Sequence, residues 1–482
     1  DAEEADRLDL SLSVFEALAR DRQTQSWQGL GIVIQAYGKR APYVIEWVAA
    51  LARETGRRIC VRLVKGAYWD AEIKRAQERG LSSYPVFTRK VSTDVSYLAC
   101  TERLFNHRDV IYPMFATHNA HTIAAVLELR PPGAKFEFQR LHGMGALLHA
   151  EAKRQIEGFP RVRAYAPVGQ HEELLSYLVR RLLENGANSS FVNRFMNESV
   201  PVENVVEDPI AVLQAADSMT NPHIPLPNDL YGASRENSAG VDWGNPQELA
   251  QQIASLQKSG ELPHAVPSTL AGKIESTPHE VRNPANLAEL VGYVSVATQA
   301  DIALAFDKAA RARHAWDEAG ATHRAVCLVA AADKLRAHRA ELVRLLVKEA
   351  GKTLPDAIAE VREAEDFCRY YAAQAREHFA EPMALPGPTG EDNKLSLRGR
   401  GVFACISPWN FPLAIFLGQV TAALVAGNSV VAKPAESTPL IAALAVRLLH
   451  EAGVPHDVLH FVPAAGKAFG EAAFKHPALG GG

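Results

Sequence analysis

Short apolar runs alternate with helical patterns along the first 186 residues of the chain. A helical pattern covers residues 3–20, where leucine and phenylalanine recur between charged positions. Five runs of strand length follow, and a helical pattern separates each run from the next. These runs are 29–37, 59–65, 111–117, 135–141 and 162–165, and a helix over 171–186 closes the series. The alternation predicts βα units with parallel strands.

A polar or glycine-containing segment follows each run at its C-terminal end. In the stretch 62–70, Arg62 and Lys65 place positive charge beside Gly66, and two aromatic residues precede a helical pattern. Because (β/α)8 barrels carry their catalytic residues at the C-terminal ends of the strands, we predict an α/β fold with a barrel of this type. Five strands are three fewer than a closed barrel needs, so we expect the N-terminal strands to be missing from this chain.

Two alternatives stay open on the pattern alone. The stretch 62–70, taken by itself, is also compatible with a core strand whose Arg62 side chain reaches the surface, followed by an ordinary loop. The alternating strands are also compatible with an open doubly wound sheet, although no G-x-G-x-x-G follows a strand.

The pattern changes in the second half of the chain. Residues 187–262 are predicted as a connector, because the proline-rich segment 221–231 cannot be helical, and only 246–258 has a helical pattern. From 263 onward we predict a strand and turn at 279–284, four helices between 300 and 378, and strands at 394–399 and 401–406. The predicted domains are therefore 1–186, 187–262 and 263–482.

Composition limits the possible functions. The net charge is −4 and there is no basic block, which argues against nucleic acid as a partner of this chain. Five scattered cysteines fit a reducing compartment, show no metal-ligand spacing, and lead us to expect no metal. No apolar run is long enough to span a membrane, and no signal peptide is recognisable. The first residue is not Met and no closing element is predicted at 479–482, so we expect a piece of a longer protein.

Seven strand-end and helix segments resemble one family in their order along the chain. They are 1–4, 34–37, 62–70, 115–119, 136–145, 165–169 and 177–186. The set resembles the proline dehydrogenase barrel in the form found in bifunctional proline utilization A proteins. This resemblance implies FAD bound without a covalent link at the barrel mouth, and oxidation of L-proline to pyrroline-5-carboxylate.

The resemblance also implies roles for residues at matching positions. Arg180 and Arg181 match a clamp for the proline carboxylate, a role that paired guanidinium groups suit, although an Arg pair on a helix is usually a solvated face. Tyr165, Tyr177 and Leu141 match pocket walls, and Asp1 matches a partner of the Tyr165 hydroxyl. A lysine that the family also uses on the carboxylate lies in an earlier strand, before the chain begins.

Arg62 matches a position near the flavin N5, where its charge would stabilise the reduced isoalloxazine. His118 taken alone is more typical of a structural histidine. The residues that match flavin-contacting positions are Gln35, Arg62, Val64, Lys65, Gly66, Ala67, Tyr68, Trp69, Thr117, His118, Asn119 and Glu184.

Residues from 282 onward resemble the aldehyde dehydrogenase superfamily, on the segments 349–352, 408–412 and 426–434 together with Glu436. The resemblance implies an incomplete Rossmann-type α/β domain that binds NAD. Asn410 matches an oxyanion-hole amide, although it could instead form a turn before Phe-Pro. Lys433 and Glu436 match residues that bind the adenosine ribose, although they could instead form a surface ion pair. The residues predicted to contact NAD are Ser407, Pro408, Trp409, Asn410, Lys433 and Glu436.

The catalytic centre of this second family is not found in the chain. Its nucleophilic cysteine and general-base glutamate match positions beyond residue 482. Cys405 is not a substitute, because it lies within an apolar strand where a thiol stays protonated. The second half therefore supplies part of a cofactor site.

Together the resemblances imply a bifunctional enzyme of bacterial proline catabolism. An FAD-dependent proline dehydrogenase would precede an NAD-dependent glutamate-semialdehyde dehydrogenase, with passage of the intermediate between them. We expect a membrane quinone as electron acceptor, a homo-oligomer, and a cytoplasmic location at the inner face of the bacterial membrane. Two alternatives remain: a proline-responsive DNA-binding repressor that uses the flavin domain as a sensor, and a catalytically incomplete fragment.

Overall fold

The computed structural model describes residues 1–482 except 173, 176, 178, 180–206, 258–260 and 270–276. The chain divides into two compact units. Unit 1 comprises 1–78, 83–227 and 242–246, and unit 2 comprises 79–82, 228–241 and 247–482. The described part of the predicted connector is therefore shared between the two units.

Unit 1 contains one parallel sheet of five strands, in the order β1-β2-β3-β4-β5. Its strands are β1 (Gly31–Gln35), β2 (Ile59–Val64), β3 (Ile111–Ala116), β4 (Glu137–Leu141) and β5 (Arg161–Tyr165). Its helices are α1 (Leu8–Arg20), α2 (Ala41–Thr55), α3 (Trp69–Glu78), α4 (Lys90–Asn106), α5 (Ala120–Leu129), α6 (Ala146–Gln155) and α7 (Pro209–Gln214). All five predicted strands are confirmed, and the predicted helix 171–186 lies largely outside the described residues.

The first helix begins later than its pattern predicted. A 3-10 helix at Ala5–Arg7 precedes α1, so the α-helix starts at Leu8 instead of residue 3. The Ala5 backbone N–H donates to the Glu72 carboxylate at 2.7 Å, and this contact from a distant helix fixes the backbone locally. The sequence pattern contains no information about such a contact.

Alternating burial along β2 determines which side chains face the strand-end site. Ile59, Val61 and Leu63 are fully buried, whereas Arg62 and Val64 lie half-buried on the opposite face. Successive strand residues point to opposite faces, so these two side chains share one side of the sheet. The buried face packs in a core that includes four phenylalanines, with ring centroids 5.2–6.4 Å apart in five pairs: Phe105, Phe115, Phe136 and Phe138.

Unit 2 contains a second parallel sheet and a helical layer. The sheet strands are β11 (Val402–Ile406), β12 (Ser429–Lys433), β13 (Leu459–Phe461) and β14 (Leu479–Gly481). A three-stranded sheet is formed by β6 (His264–Ala265), β7 (His279–Asn283) and β8 (Asn286–Val294), and a hairpin by β9 (Met383–Leu385) and β10 (Asn393–Leu395). The helices are α8 (Pro246–Leu256, whose first residue belongs to unit 1), α9 (Gln299–Glu318), α10 (Ala321–Ala337), α11 (Arg339–Lys348), α12 (Leu354–His378), α13 (Ala414–Val425), α14 (Pro439–Glu451) and α15 (Gly466–Ala473).

The parallel sheet of unit 2 has the strand order β13-β12-β11-β14. β11, the first of these strands in the sequence, lies inside the sheet. β12 and β13 follow on one side of it, and β14 lies on the other side. This is the order of a doubly wound dinucleotide-binding half, and it confirms the predicted Rossmann-type fold. Its crevice for a ligand lies between β11 and β14, at the carboxyl ends of the strands.

The structure of unit 2 overturns two predictions and adds two strands that were not predicted. No closing element was expected at 479–482, yet β14 pairs there with β11. A Cβ at position 481 would lie 2.7 Å from the Phe403 ring, so Gly481 leaves room for that ring. The strand predicted at 394–399 ends at Leu395 and pairs with β9, which was not predicted. The strand β8 was also missed, since its residues 286–289 show no apolar alternation.

Candidate functional sites

The carboxyl end of β1 is connected to the loop that follows β2 through one side chain, Gln35. Its amide nitrogen donates to the Glu3 carbonyl at 2.8 Å, and its amide oxygen accepts from the Ala67 N–H at 3.3 Å. Both hydrogen-bonding groups of this amide are therefore used to hold the N-terminal segment and the loop 65–69 in place. The predicted flavin contact at Gln35 remains a prediction.

The loop 65–69 has a backbone that only glycine accommodates at its centre. Pairing between β1 and β2 continues beyond the strands, where Tyr37 N–H donates to the Lys65 carbonyl at 2.8 Å. Gly66 has φ +135°, and a Cβ there would lie 2.5 Å from the Tyr37 ring. Tyr37 is buried, and burial raises the pKa of its hydroxyl. This close approach fixes where the loop passes the end of β2.

Arg62 is the centre of a charged and aromatic contact. Its Nη2 donates to the Asp1 carboxylate, and its guanidinium lies over the Tyr165 ring, 4.7 Å from the centroid. The Asp1 carboxylate thus contacts Arg62, and its predicted partnership with the Tyr165 hydroxyl stays a prediction. A full positive charge is a stronger donor to a carboxylate than a phenol is. The three residues still lie together at the strand ends.

Three further predicted flavin-contacting side chains are held by protein groups. Lys65 forms an ion pair with Asp94, and both side chains are about a quarter exposed. The Tyr68 hydroxyl donates to the Glu3 carboxylate at 2.7 Å, and Trp69 Nε1 donates to the Phe87 carbonyl at 2.8 Å. These contacts fix the two ends of the loop, while Val64 lies half-buried beside it.

The end of β3 carries Thr117, His118 and Asn119, and each makes a structural contact. Thr117 Oγ1 accepts from the Asn119 N–H at 3.1 Å, and Asn119 Oδ1 caps α5 by accepting from the Thr122 N–H at 3.1 Å. His118 Nε2 accepts from the Leu141 N–H at 3.1 Å. An accepting Nε2 means that the ring proton of the imidazole is on Nδ1. This contact is of the kind expected for a structural histidine, and the flavin contact of His118 remains a prediction.

The predicted substrate pocket is only partly described. Leu141 is buried at the end of β4, and Tyr177 is half-buried. Arg180, Arg181 and Glu184 lie outside the described residues, so the carboxylate clamp remains a prediction based on the resemblance.

In unit 2 the two predicted NAD-binding loops begin side by side. Ile406 at the end of β11 pairs with Lys433 at the end of β12, and the Ser407 N–H donates to the Lys433 carbonyl at 3.1 Å. Ser407 Oγ is buried and has no hydrogen-bond partner in the described part of the chain. An unpartnered buried hydroxyl beside the crevice is available for a bound group.

Lys433 and Glu436 do not form the surface ion pair that was the alternative. Lys433 is 4% exposed, and its Nζ donates to the Pro434 carbonyl at 2.8 Å. Burial lowers the pKa of Lys433, and the nearby Glu436 carboxylate acts in the opposite direction. Glu436 Oε1 accepts from the Gly466 N–H at 2.9 Å, whereas its Oε2 accepts no hydrogen bond among the described residues. One carboxylate oxygen is thus available to a ligand hydroxyl.

Asn410 lies in an exposed loop between β11 and α13. Its side-chain amide makes no hydrogen bond to any residue that the structure describes, so it does not stabilise a turn. The neighbouring Trp409 is 66% exposed. Both side chains are accessible at the carboxyl edge of the sheet.

Two residues that support this loop were missed as functional residues. Glu360 Oε1 accepts from the Leu413 and Ala414 N–H groups at 2.8 and 3.1 Å, and its Oε2 lies 2.6 Å from Lys352 Nζ. Helical spacing in the sequence could have identified Glu360, because this charged residue lies on the same face of α12 as the buried Ala357 and Ala364. A carboxylate on such a face requires buried partners.

The cysteine that lies within β11, beside this site, is buried. Cys405 is 5% exposed, and burial raises the pKa of its thiol to about 12. The prediction that it stays protonated is consistent with this environment. No group of three or more His, Cys, Asp or Glu side chains in the described part of the chain is arranged to hold a metal ion.

Two family models account for most of the chain. The model for proline dehydrogenase matches residues 1–194, and the model for the aldehyde dehydrogenase family matches residues 272–481. The chain thus contains a proline dehydrogenase barrel domain followed by an aldehyde-dehydrogenase-like domain. Both resemblances recognised in the sequence are thereby confirmed.

Several relatives carry the name bifunctional protein PutA. The chain is 48% identical over 488 residues to the bifunctional protein PutA of Escherichia coli, covering 98% of this chain and 36% of the relative. A crystal structure of a proline utilization A mutant from Bradyrhizobium japonicum matches with a TM-score of 0.88 at 50% identity, covering 99% of this chain and 46% of that one. A crystal structure of proline utilization A from Bdellovibrio bacteriovorus, inactivated by N-propargylglycine, matches with a TM-score of 0.87 at 33% identity. The match covers 99% of this chain and 49% of that one. The chain thus spans about a third of the length of the curated relatives.

The loop at Gly66 gives a first prediction. Gly66→Ala should destabilise unit 1 by roughly 2–4 kcal/mol, because a Cβ at φ +135° is strained and collides with the Tyr37 ring. Gly133→Ala is the matched control and should cost about 1 kcal/mol, since Gly133 has φ +72° but a Cβ added there would meet no atom within 4 Å. Urea unfolding of both variants measures the difference, and equal losses would show that Tyr37 does not constrain the loop.

Proposed function

We propose that the protein to which this chain belongs oxidises L-proline to pyrroline-5-carboxylate with FAD, and glutamate semialdehyde to glutamate with NAD. The observation that carries the proposal is the succession of the two family matches over nearly the whole chain. The name of the relatives, bifunctional protein PutA, agrees with two activities in one polypeptide.

The first activity uses the carboxyl ends of β1 to β5. FAD, when bound, would accept a hydride from C5 of proline. Arg62 supports this reaction through its positive charge, which favours an anionic reduced flavin near the end of β2. Gly66 supports it indirectly, because its close approach to the Tyr37 ring fixes the course of the loop at the end of β2. Arg180 and Arg181, outside the described residues, would bind the proline carboxylate.

The second activity uses the carboxyl ends of β11 and β12. NAD, when bound, would accept a hydride from the aldehyde adduct. Glu436 supports this because its Oε2 can accept from a ribose hydroxyl, with Lys433 beside it. Asn410 supports it because its amide can donate to an oxyanion without breaking an existing hydrogen bond to a described residue.

Partners and location follow only from the family. We propose a membrane quinone as acceptor of the flavin electrons, a homo-oligomer, and a cytoplasmic location with peripheral contact at the inner face of the bacterial membrane. Among the described helices, none is long and apolar enough to cross a bilayer.

A flavin test addresses the first activity. The full-length protein should purify yellow with FAD, and the flavin absorbance should bleach anaerobically on addition of L-proline, because the hydride reduces the isoalloxazine. D-Proline, with its carboxylate on the opposite side, is the control. A protein that takes up no FAD on reconstitution contradicts the proposal.

Arg62 supplies a sharper test of the same site. In the full-length protein, Arg62→Lys should lower kcat/KM for proline about tenfold to a hundredfold, because a lysine cannot pair with Asp1 and also cover the Tyr165 ring. Arg163→Lys is the control: Arg163 is also paired, with Glu137 at the first residue of β4, and should leave proline kinetics unchanged. Equal effects in the two variants would exclude a specific role of Arg62.

The second activity requires a thiolate that the 482 residues do not supply. Cys327, Cys368 and Cys405 are all buried in unit 2. We therefore expect no NADH from glutamate semialdehyde and NAD with this chain alone, whereas the full-length protein should produce it. Cys405→Ala in the full-length protein is the control and should retain the rate. NADH formation by the 482-residue chain, if lost on Cys405→Ala, would identify Cys405 as the nucleophile and overturn this assignment.

A further inference from the structure

The loop that carries Asn410 is supported by a buried ion pair from a different part of unit 2. We propose that Lys352 and Glu360 are positioning residues that hold the Asn410 amide in the geometry needed for aldehyde oxidation. The inference rests on the proposed second activity, and it assigns to these two side chains a role beyond packing.

Glu360 fixes the C-terminal end of the loop. Its side chain is fully buried, and one oxygen accepts from two successive backbone N–H groups, those of Leu413 and Ala414. Leu413 directly precedes α13 and Ala414 is its first residue, and N–H groups at this end of a helix have no partner within the helix. The N-terminal end of the loop is fixed separately, because the Ser407 N–H donates to the Lys433 carbonyl. Asn410 lies halfway between these two anchors.

Lys352 connects the Glu360 carboxylate to the middle of the loop. Its Nζ lies 2.6 Å from Glu360 Oε2 and 4.1 Å from the centroid of the Phe411 ring. The ammonium group thus makes an ion pair and a cation–π contact at once, and the lysine side chain is only 13% exposed. Phe411 directly follows Asn410, so a displaced Phe411 ring moves the Asn410 backbone with it.

Helix capping alone does not account for this arrangement. Glu349 makes the equivalent cap on α14 by accepting from the Leu440 and Ile441 N–H groups at 2.7 and 2.9 Å. Within the described residues Glu349 has no lysine partner, and burial raises its pKa to about 8. A glutamate can therefore cap a helix in this unit without a buried cation. The additional lysine at Glu360 is explained by its contact with Phe411.

The test compares variants of the full-length protein. Lys352→Met removes the charge and keeps the length of the side chain. Glu360→Gln keeps an oxygen for the α13 cap but loses the ion pair. Lys348→Met is the control, because Lys348 forms an ion pair of similar length with Glu289, at 2.5 Å, in a more exposed position that has no ion pair or cation–π contact with the loop among the described residues.

We expect kcat for glutamate semialdehyde to fall about tenfold to a hundredfold in Lys352→Met and Glu360→Gln, with KM for NAD within about twofold, because a small displacement of an oxyanion donor acts on the transition state. The double variant should be no worse than either single one, because both act through one contact. Lys352→Arg, which keeps the charge, should recover most of kcat, and Lys348→Met should leave it unchanged.

A readout independent of activity follows the loop itself. With 5-fluorotryptophan incorporated and the resonance assigned through Trp409→Phe, the fluorine signal of residue 409 should shift or broaden in Lys352→Met and stay unchanged in Lys348→Met. An unchanged signal in Lys352→Met overturns the inference, as does a loss of kcat that Lys352→Arg does not restore. If the unmodified protein fails to oxidise the semialdehyde, the proposed function fails, while the fluorine signal still decides whether the ion pair holds the loop.

Discussion

Parallel strand pairing is the constraint on which both candidate sites depend. In an antiparallel sheet, neighbouring strands end at opposite edges, whereas parallel strands all end at one edge. The pairing of β1 with β2 brings Gln35 beside the loop after Val64, and the pairing of β11 with β12 brings Ser407 beside Lys433. Residues about thirty positions apart in the sequence thereby become neighbours, and the loops that follow the strands acquire a common surface.

Three cations near these edges are paired with carboxylates before any ligand arrives. Arg62 pairs with Asp1, Lys65 with Asp94 and Lys352 with Glu360. A half-buried cation without a partner would be costly, and a carboxylate from a neighbouring segment removes that cost while fixing the side chain. The same pairing limits how a ligand can use the charge. An anionic ligand group at the barrel edge must compete with Asp1 for Arg62 or share Arg62 with it. Binding of such a group therefore depends on the length and the several N–H donors of the Arg62 side chain as well as on its charge.

The sequence predicted strands, the strand-end motifs and the fold class, because these depend on local periodicity and on residue types with a strong positional meaning. It failed where the partner was distant or where a small residue replaced an apolar pattern. The pairing of Asp1 with Arg62 joins residues 61 positions apart, and no local pattern encodes it. The strand β14 contains Gly480 and Gly481, and because glycine has a low strand propensity the sequence did not predict a strand there. The contact of Gly481 with the Phe403 ring is visible only in the structure. Glu360 was visible as a charge on an apolar helix face, but its two backbone partners were not.

The helix α13 shows how such distant contacts combine around one site. Its first turn donates to Glu360 of α12, and its last carbonyls accept from Trp316 Nε1 and Arg324 Nε, both at 2.8 Å. Buried side chains from three other helices therefore satisfy both ends of α13, where a helix has no internal partners. The helix cannot slide or rotate without leaving a buried polar group unpaired, which costs about 1–3 kcal/mol for each. The Asn410 loop joins this fixed helix to the fixed end of β11, so its conformation is determined by a helical layer that contributes no residue to the predicted cofactor contacts.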